Sequence, residues 1–326
     1  MPTIKDVAKE TGLSVGTVSR VLNNRGYISE ATRQNVDRAM KKLNYQPNEI
    51  ARSLCKSTSS IVGVIIPTLT NPYFAEMTEH LEKALASNGY QIMLFTSGNS
   101  RNREKDIVME CRKNRVAGII VCSGVFSTVK LAELDIPVIA LERLKDNTSF
   151  SIECDNYEGG RIATKHLIDK GCRKLVHISG VSGKVMPADK RKEGFMDVCQ
   201  EEGVDGISYN TTEEEYLNLD YLSLLDSIFN ENPDVDGVFA SSDAIGAEVI
   251  QCIIKKGKRV PEDVKVIGFD GTFVSKLTSP TLSTISQPIS EMAEIAVSTL
   301  LRFSKKKPTT TNIKVGVELI ERDSTR

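Results

Sequence analysis

The sequence predicts an all-α helix-turn-helix head joined to an α/β body of two lobes, each built on a doubly wound parallel sheet. Three observations carry that prediction. Residues 3–43 place helix caps and a turn glycine at the spacing of two crossed helices and a third. Residues 45–60 form a polar joint. From Ile61 onward, apolar runs of strand length alternate with stretches of helical character.

In the head, Thr3 followed by Asp6 makes a capping-box-like start to a first helix, and Gly12 suits the left-handed turn that follows. Ser14 caps a second helix where the chain re-enters helical pattern. Ile4, Val7 and Ala8 can then face Val18, Val21 and Leu22 in a small apolar core. Ser29 caps a third helix, Glu30 favours its positive end, and Ala31, Val36, Ala39, Met40 and Leu43 supply its apolar stripe. A helix held across another by a tight turn is a tool for entering the DNA major groove. A hairpin that serves only packing is the plainer alternative. Charge favours the first reading. Residues 1–58 hold ten Lys and Arg against five Asp and Glu, a balance of +5, and the remaining 32 basic and 38 acidic residues give −6. A basic head on an acidic body fits phosphate binding, because each neutralised phosphate releases counterions.

Composition bounds the rest. At 326 residues the chain has room for two or three domains. No run of 18 apolar residues marks a membrane span, and the charged first helix is no signal peptide. Seven cysteines, without a CxxC pair, predict neither a zinc knuckle nor a disulfide framework, so a reducing cytoplasm is expected. His80, His166 and His177 lack metal-ligand spacing, and residues 180–184 resemble a phosphate loop only superficially, since the glycine spacing fails. With no nucleophile–base pair evident, no enzyme activity, cofactor or metal is expected.

The joint opens at Pro47, which limits the preceding helix and can begin a new one. Residues 48–54 are helix-compatible but short, so a helix here is expected to form when bound to DNA and paired with a twin. Ala51 and Leu54 would then face the minor groove. Residues 56–60 are a polar linker.

In the body, strand-like runs occupy residues 61–66, 91–95, 118–121, 137–141, 174–178, 237–240 and 264–269. Helical stretches lie between them, as at 73–86, 159–169, 190–200 and 244–256. Roughly ten strands is many for one open sheet, so two lobes with a cleft between them are expected. Ligands in such folds bind at the carboxyl ends of strands. Those ends carry Tyr73 and Phe74 at a helix start, Glu142, the pair Asp155 and Asn156, then Ser242 and Asp243, and Asp270. Asp189 and Arg191 open another helix. Carboxylates, amides, an Arg fork and stacking rings suit a small polyhydroxylated ligand. Each residue alone reads equally as a helix cap or surface ion pair. Their shared placement is what points to a site.

The segments TIKDVAKETGLSVGTVSRVLN, PNEIARSL, NPYFAEM, DNYEGGRIATKHLIDKG, RKEGF, VPEDVKVIGFDG and LSTISQP follow one another along essentially the full length. In that order the chain resembles the LacI family of bacterial transcription repressors. The resemblance implies residues 1–46 as a helix-turn-helix DNA-binding domain and 47–59 as hinge helix and linker. Residues 60–326 become a periplasmic-binding-protein-like domain for effector binding and dimerisation. Its N-lobe takes residues 60–157 and 285–312, its C-lobe 158–284 and 313–326. The implied partners are a double-stranded, near-palindromic operator, a second copy of the chain and a small effector, with no membrane. Val15, Gly16 and Arg20 would face bases, with Arg20 the candidate for bidentate guanine reading. Thr3, Ser14, Thr17, Ser19 and Asn23 would mostly meet phosphates. Leu54 would wedge into the minor groove and bend the DNA, with Ala51 and Ser53 beside it. Tyr73, Phe74, Arg191 and Asp270 match the family's effector contacts most directly. Glu142 stands where Asp is more usual, Cys122 is less polar than its counterpart, and a stacking ring near Tyr216 is a looser match.

The implied effector is a sugar or sugar phosphate, coupled reciprocally to DNA affinity. The residues leave the sign of the coupling open. A catabolite-control regulator driven by a phosphorylated carrier protein and a purine-type co-repressor-dependent repressor are the alternatives. A sugar-binding transport protein would share the two-lobed fold but has no use for a basic head. No leucine heptad follows residues 318–322, so a dimer rather than a tail-assembled tetramer is expected.

Overall fold

A computed structural model of the protein describes residues 2–23, 25–46, 59–98, 100–122, 136–143, 150–181, 186–303 and 312–326. The chain divides into two compact units, Met1–Ser59 and Ser60–Arg326.

The first unit holds α1 (Ile4–Thr11), α2 (Val15–Leu22) and α3 (Glu30–Leu43). The Asp6 carboxylate accepts from both the Thr3 backbone N–H and its hydroxyl at 2.8 Å. Gly12 ends α1 at φ 68, a left-handed conformation that costs glycine little. Ser14 accepts from the Thr17 N–H at 3.0 Å, and Ser29 accepts from the Thr32 N–H at 3.3 Å. Each cap satisfies a donor that the first turn leaves unpaired. Val7, Ala8, Val18, Val21, Val36 and Ala39 form the buried centre. Ala31, expected in the α3 stripe, is exposed. It lies about 140° round the helix from Val36, off the packed face.

The second unit contains two six-stranded sheets. The first comprises β1 (Ile61–Ile66), β2 (Gln91–Thr96), β3 (Gly118–Val121), β4 (Val138–Leu141), β5 (Phe150–Cys154) and β11 (Asn312–Val315), in the order β11-β5-β4-β3-β1-β2 and parallel throughout. The second comprises β6 (Lys174–Val181), β7 (Asp205–Thr211), β8 (Gly237–Ala240), β9 (Lys265–Asp270), β10 (Ser283–Ser286) and β12 (Glu318–Ile320), in the order β12-β10-β9-β8-β6-β7. β12 runs antiparallel to β10, so this sheet is mostly rather than wholly parallel. It enters from β11 through Gly316 and Val317, without the long crossover that a parallel neighbour needs.

Helices cover both faces of each sheet, which is why β3, β4, β5 and β8 are buried along their length. α4 (Pro72–Ala86) and α12 (Ile289–Phe303) pack on one face of the first sheet, and α5 (Arg101–Lys113) lies against the other. α6 (Asn156–Asp169) and α7 (Lys190–Glu202) cover one face of the second sheet. α9 (Leu222–Glu231) and α10 (Asp243–Lys255) cover its opposite face. α8 (Glu213–Asn218) and α11 (Val274–Leu277) are short. The chain crosses between sheets after β5, after β10 and after β11. The last crossing falls after Val315, slightly beyond the expected boundary at 312. No helix among the described residues is long and apolar enough to cross a membrane.

Candidate functional site

On the head, Val15, Gly16 and Arg20 lie exposed on α2, while Val18 and Val21 of the same helix are buried. The spacing follows from the helical period, which turns positions 15, 16 and 20 away from the core that 18 and 21 enter. Thr3 and Ser14 are exposed at the starts of α1 and α2. The Ser14 and Thr17 hydroxyls bond each other at 2.9 Å, and the Asn23 amide donates to the Ser19 carbonyl at 2.8 Å. Ala51, Ser53 and Leu54 lie outside the described residues.

In the second unit, one hydrogen-bonded chain joins the ends of both sheets. Asn156, the first residue of α6, donates from Nδ2 to Glu142 Oε2 at 3.0 Å and accepts at Oδ1 from Arg191 Nε at 2.7 Å. The orientation of the amide is fixed, because a guanidinium only donates and a carboxylate only accepts. The other Glu142 oxygen accepts from the Cys154 N–H. Arg191 also donates to the Ser241 carbonyl, lies 3.6 Å from Asp270 Oδ1, and rests over the Phe269 ring at 3.6 Å. Asp270 accepts from Gln287 Nε2 at 2.8 Å. All five side chains are buried.

Two glycines set the position of Arg191. A Cβ on Gly160 of α6 would stand 2.2 Å from the Arg191 carbonyl, and one on Gly194 of α7 would stand 2.3 Å from the Tyr157 carbonyl. The helices therefore touch backbone to backbone, which brings the start of α6 within bonding reach of the start of α7.

Both carboxylates sit in strained backbone. Glu142 has φ 47 and Asp270 has φ 108. Such conformations cost on the order of 1–3 kcal/mol and persist where surroundings over-determine them, often at ligand sites. Burial raises the pKa of each carboxyl, and the Arg191 charge opposes that rise. Tyr73 packs edge-on against Phe74 with ring centroids 5.3 Å apart. Among the described residues its buried hydroxyl has no hydrogen-bond partner. Burial raises that hydroxyl's pKa, and Glu142, Cys154, Cys122 and Asp270 raise it further, so Tyr73 faces the same cluster. Cys122, just beyond β3, has its thiol pushed up to about 12 by burial and then by Glu142. The half-buried Tyr216 on α8 has its hydroxyl pKa raised by burial and then by Asp270.

Three predicted residues are committed to the fold. Asp243 accepts from the Thr272 N–H at 2.6 Å, the Thr272 hydroxyl at 2.9 Å and the Thr284 hydroxyl, pinning the ends of β9 and β10. Ser242 caps α10 by accepting from the Ile245 N–H at 3.2 Å. Asp189 accepts from the Met186 N–H at 2.7 Å and closes the turn before α7. Sequence reasoning missed Gln287 and the Ser241 carbonyl, and named Asn156 only as a strand end. Their common signal is position: Asn156 and Gln287 both lie where the chain crosses between sheets. A further bond joins the lobes, from the Phe273 N–H after β9 to Glu76 on α4.

Residues 3–48 match the model for bacterial regulatory proteins of the lacI family, and residues 164–325 match a periplasmic binding protein-like domain. The chain is 34% identical over 327 residues to the ribose operon repressor of Halalkalibacterium halodurans, covering 100% of this chain and 98% of that one. The crystal structure of the lac repressor dimer bound to operator and the anti-inducer ONPF matches with TM-score 0.89 at 24% identity, covering 99% of each chain, and shows the shared fold. A periplasmic binding protein/LacI transcriptional regulator from Alkaliphilus metalliredigens QYMF, complexed with D-xylulofuranose, matches with TM-score 0.73 at 30% identity over 82% of this chain and 100% of that one. A helix-turn-helix head and a two-lobed body with a polar interlobe cluster define an effector-controlled DNA-binding regulator. The chain belongs to the lacI family: it is a transcriptional repressor with an effector-binding domain, not an enzyme.

Proposed function

We propose that the protein represses transcription in the cytoplasm by binding a near-palindromic operator as a homodimer, and that a small sugar in the interlobe cleft changes its affinity. One observation carries the cleft reading. Glu142 beside the first sheet and Asp270 at the end of the second converge through Asn156 and Arg191, both carboxylates at positive φ. Tyr73 adds a buried hydroxyl that has no partner among the described residues. A polyol can meet these groups with its own hydroxyls, and the rings of Tyr73, Phe74 and Tyr216 can meet its apolar faces. The similar proteins support this reading, one named for a ribose operon and another complexed with D-xylulofuranose.

On DNA, Val15, Gly16 and Arg20 read base edges, and Thr3, Ser14, Thr17, Ser19 and Asn23 hold phosphates. Ala51, Ser53 and Leu54 enter the minor groove at the centre of the operator. In the cleft, Tyr73, Phe74, Cys122, Glu142, Arg191 and Asp270 contact the effector, while Asp189, Ser242 and Asp243 hold the surrounding turns. An effector that touches both lobes favours one lobe arrangement, and the paired hinges pass that preference to the DNA.

The test is selection of DNA from a random pool, followed by affinity measurement with and without D-ribose. The expected result is an inverted-repeat consensus whose affinity responds to a sugar. A pool with no symmetric consensus contradicts the dimeric operator reading.

A further inference from the structure

We infer that Asn156 is the positioning residue that sets the balance between closed and open lobes, and through it the affinity for DNA, without itself binding the effector. The inference rests on the reading above that lobe arrangement reaches the DNA. It names the contact that is made and broken when the arrangement changes.

Hydrogen bonding is the first ground. Asn156 is 1% exposed at the start of α6. Its Nδ2 donates to Glu142 Oε2 at 3.0 Å and to the Cys154 carbonyl at 3.3 Å, and Oδ1 accepts from Arg191 Nε at 2.7 Å. Both amide hydrogens are therefore spent inside the protein. The neighbours also demand an amide. A carboxylate needs a donor and a guanidinium needs an acceptor, and one planar side chain supplies both.

Attachment is the second ground. Glu142 is fastened to the first sheet: its N–H donates to the Ile152 carbonyl at 2.9 Å, and Oε1 accepts from the Cys154 N–H. Arg191 belongs to α7 on the second sheet. The close backbone approach at Gly160 and Gly194 locks α6 to α7, so Asn156 moves with Arg191. The chain crosses between lobes at Asp155, whose N–H is tied to the Val315 carbonyl at 2.8 Å. Rotation there turns α6 and stretches the bond from Asn156 to Glu142. That bond is the one that opening breaks, and its loss leaves a buried carboxylate short of a donor. The charged groups against Asn156 are Glu142 and Arg191. Asp270 lies beyond Arg191, and Tyr73 and Cys154 face Glu142.

Operator affinity of the sugar-free, full-length protein tests the inference, measured by anisotropy beside wild type at the same pH. Asn156→Asp sets a second carboxylate against Glu142 and favours open lobes. At pH 8.5 its affinity should differ from wild type by about 5-fold or more. At pH 6 the difference should shrink, because two carboxyls in contact retain a proton and a protonated carboxyl donates as the amide did. The exchanged pair, Asn156→Asp with Glu142→Gln, keeps net charge and restores a donor opposite an acceptor, so it should bind operator as wild type does at both pH values. Asn156→Ala adds no charge and should shift affinity equally at both; it decides the matter if Asn156→Asp does not unfold cooperatively. D-ribose gives the sign. A sugar that bridges the lobes favours closure, so Asn156→Asp should move operator affinity opposite to the change that D-ribose causes in wild type. Wild-type affinity in Asn156→Asp and Asn156→Ala overturns the inference, as does a shift in the same direction as that of D-ribose. A shift that the exchanged pair leaves in place is a general loss of packing and also overturns it. A wild-type protein indifferent to every sugar removes the effector reading, while the sugar-free comparison still decides this one.

Discussion

The backbone N–H of Phe273 donates to the Glu76 carboxylate at 2.8 Å, tying the segment after β9 to α4 on the other sheet. The bond holds one lobe to the other beside the helix that presents Tyr73 and Phe74. Hydrogen bonds to charged acceptors contribute about 1.5–3 kcal/mol when sheltered, and partial exposure reduces that here. Glu76→Ala should weaken effector binding about 5-fold by titration calorimetry, because opening the lobes depletes the binding-competent state. Glu76→Gln keeps an acceptor and should stay near wild type. Identical affinities for wild type and Glu76→Ala would remove this contact from the closing mechanism.

Gly160→Ala tests how Arg191 is placed. The added Cβ would meet backbone at 2.2 Å, so α6 and α7 must separate. Overpacking of this kind costs about 1–3 kcal/mol. The variant should unfold at lower denaturant and also lose effector affinity, because Asn156 and Arg191 move apart. A loss of stability with unchanged effector affinity would show that the crossing serves packing alone.

His177 supplies a pH signature. Its Nδ1–H donates to the Phe239 carbonyl at 2.9 Å, its ring stacks on Phe239 at 4.5 Å, and among the described residues its buried Nε2 has no partner. Burial pushes its pKa down to about 3 from an ordinary 6.5. The folded value lies below the unfolded one, so this contribution is full above pH 6.5 and is lost as pH falls toward 3. The slope approaches 1.4 kcal/mol per pH unit. The raised carboxyls of Asp243 and Asp270 act in the opposite sense, so a single-protein titration mixes the two. The difference between wild type and His177→Phe isolates the histidine. Urea midpoints at pH 7 and 4.5 should converge more in the variant; parallel losses would exclude His177 as their source.

Arg20→Ala should relax base preference and cost about 1–3 kcal/mol on the selected operator, with little change on random DNA. Anisotropy titrations on both DNAs measure this. Equal losses on the two would make Arg20 a phosphate contact.

Much of the architecture was legible locally. β1, β3 and β8 are short apolar runs bounded as buried parallel strands are, and Ser14 and Ser29 cap the helices that their positions foretell. The division of labour among the carboxylates was not. Asp243 and Asp270 both stand where a strand meets the cleft edge, and their neighbours in sequence do not separate them. Thr272 and Thr284 do, from 29 and 41 residues along the chain, by consuming the Asp243 oxygens. Gln287 reaches Asp270 across 17 residues, and Asn156 links Glu142 to Arg191 only once the two sheets face each other. These pairings depend on how strands and crossings assemble, which no local period reveals.

We propose that occupancy of the cleft around Arg191 controls affinity for DNA. The most direct measurement is operator affinity with and without the responding sugar, in wild type and in Arg191→Ala. A change of about 5–150-fold is expected for wild type, the usual range of allosteric coupling, and none for the variant, with both binding the operator in the absence of sugar. An equal sugar-dependent change in the two proteins, or none in either, would contradict the account.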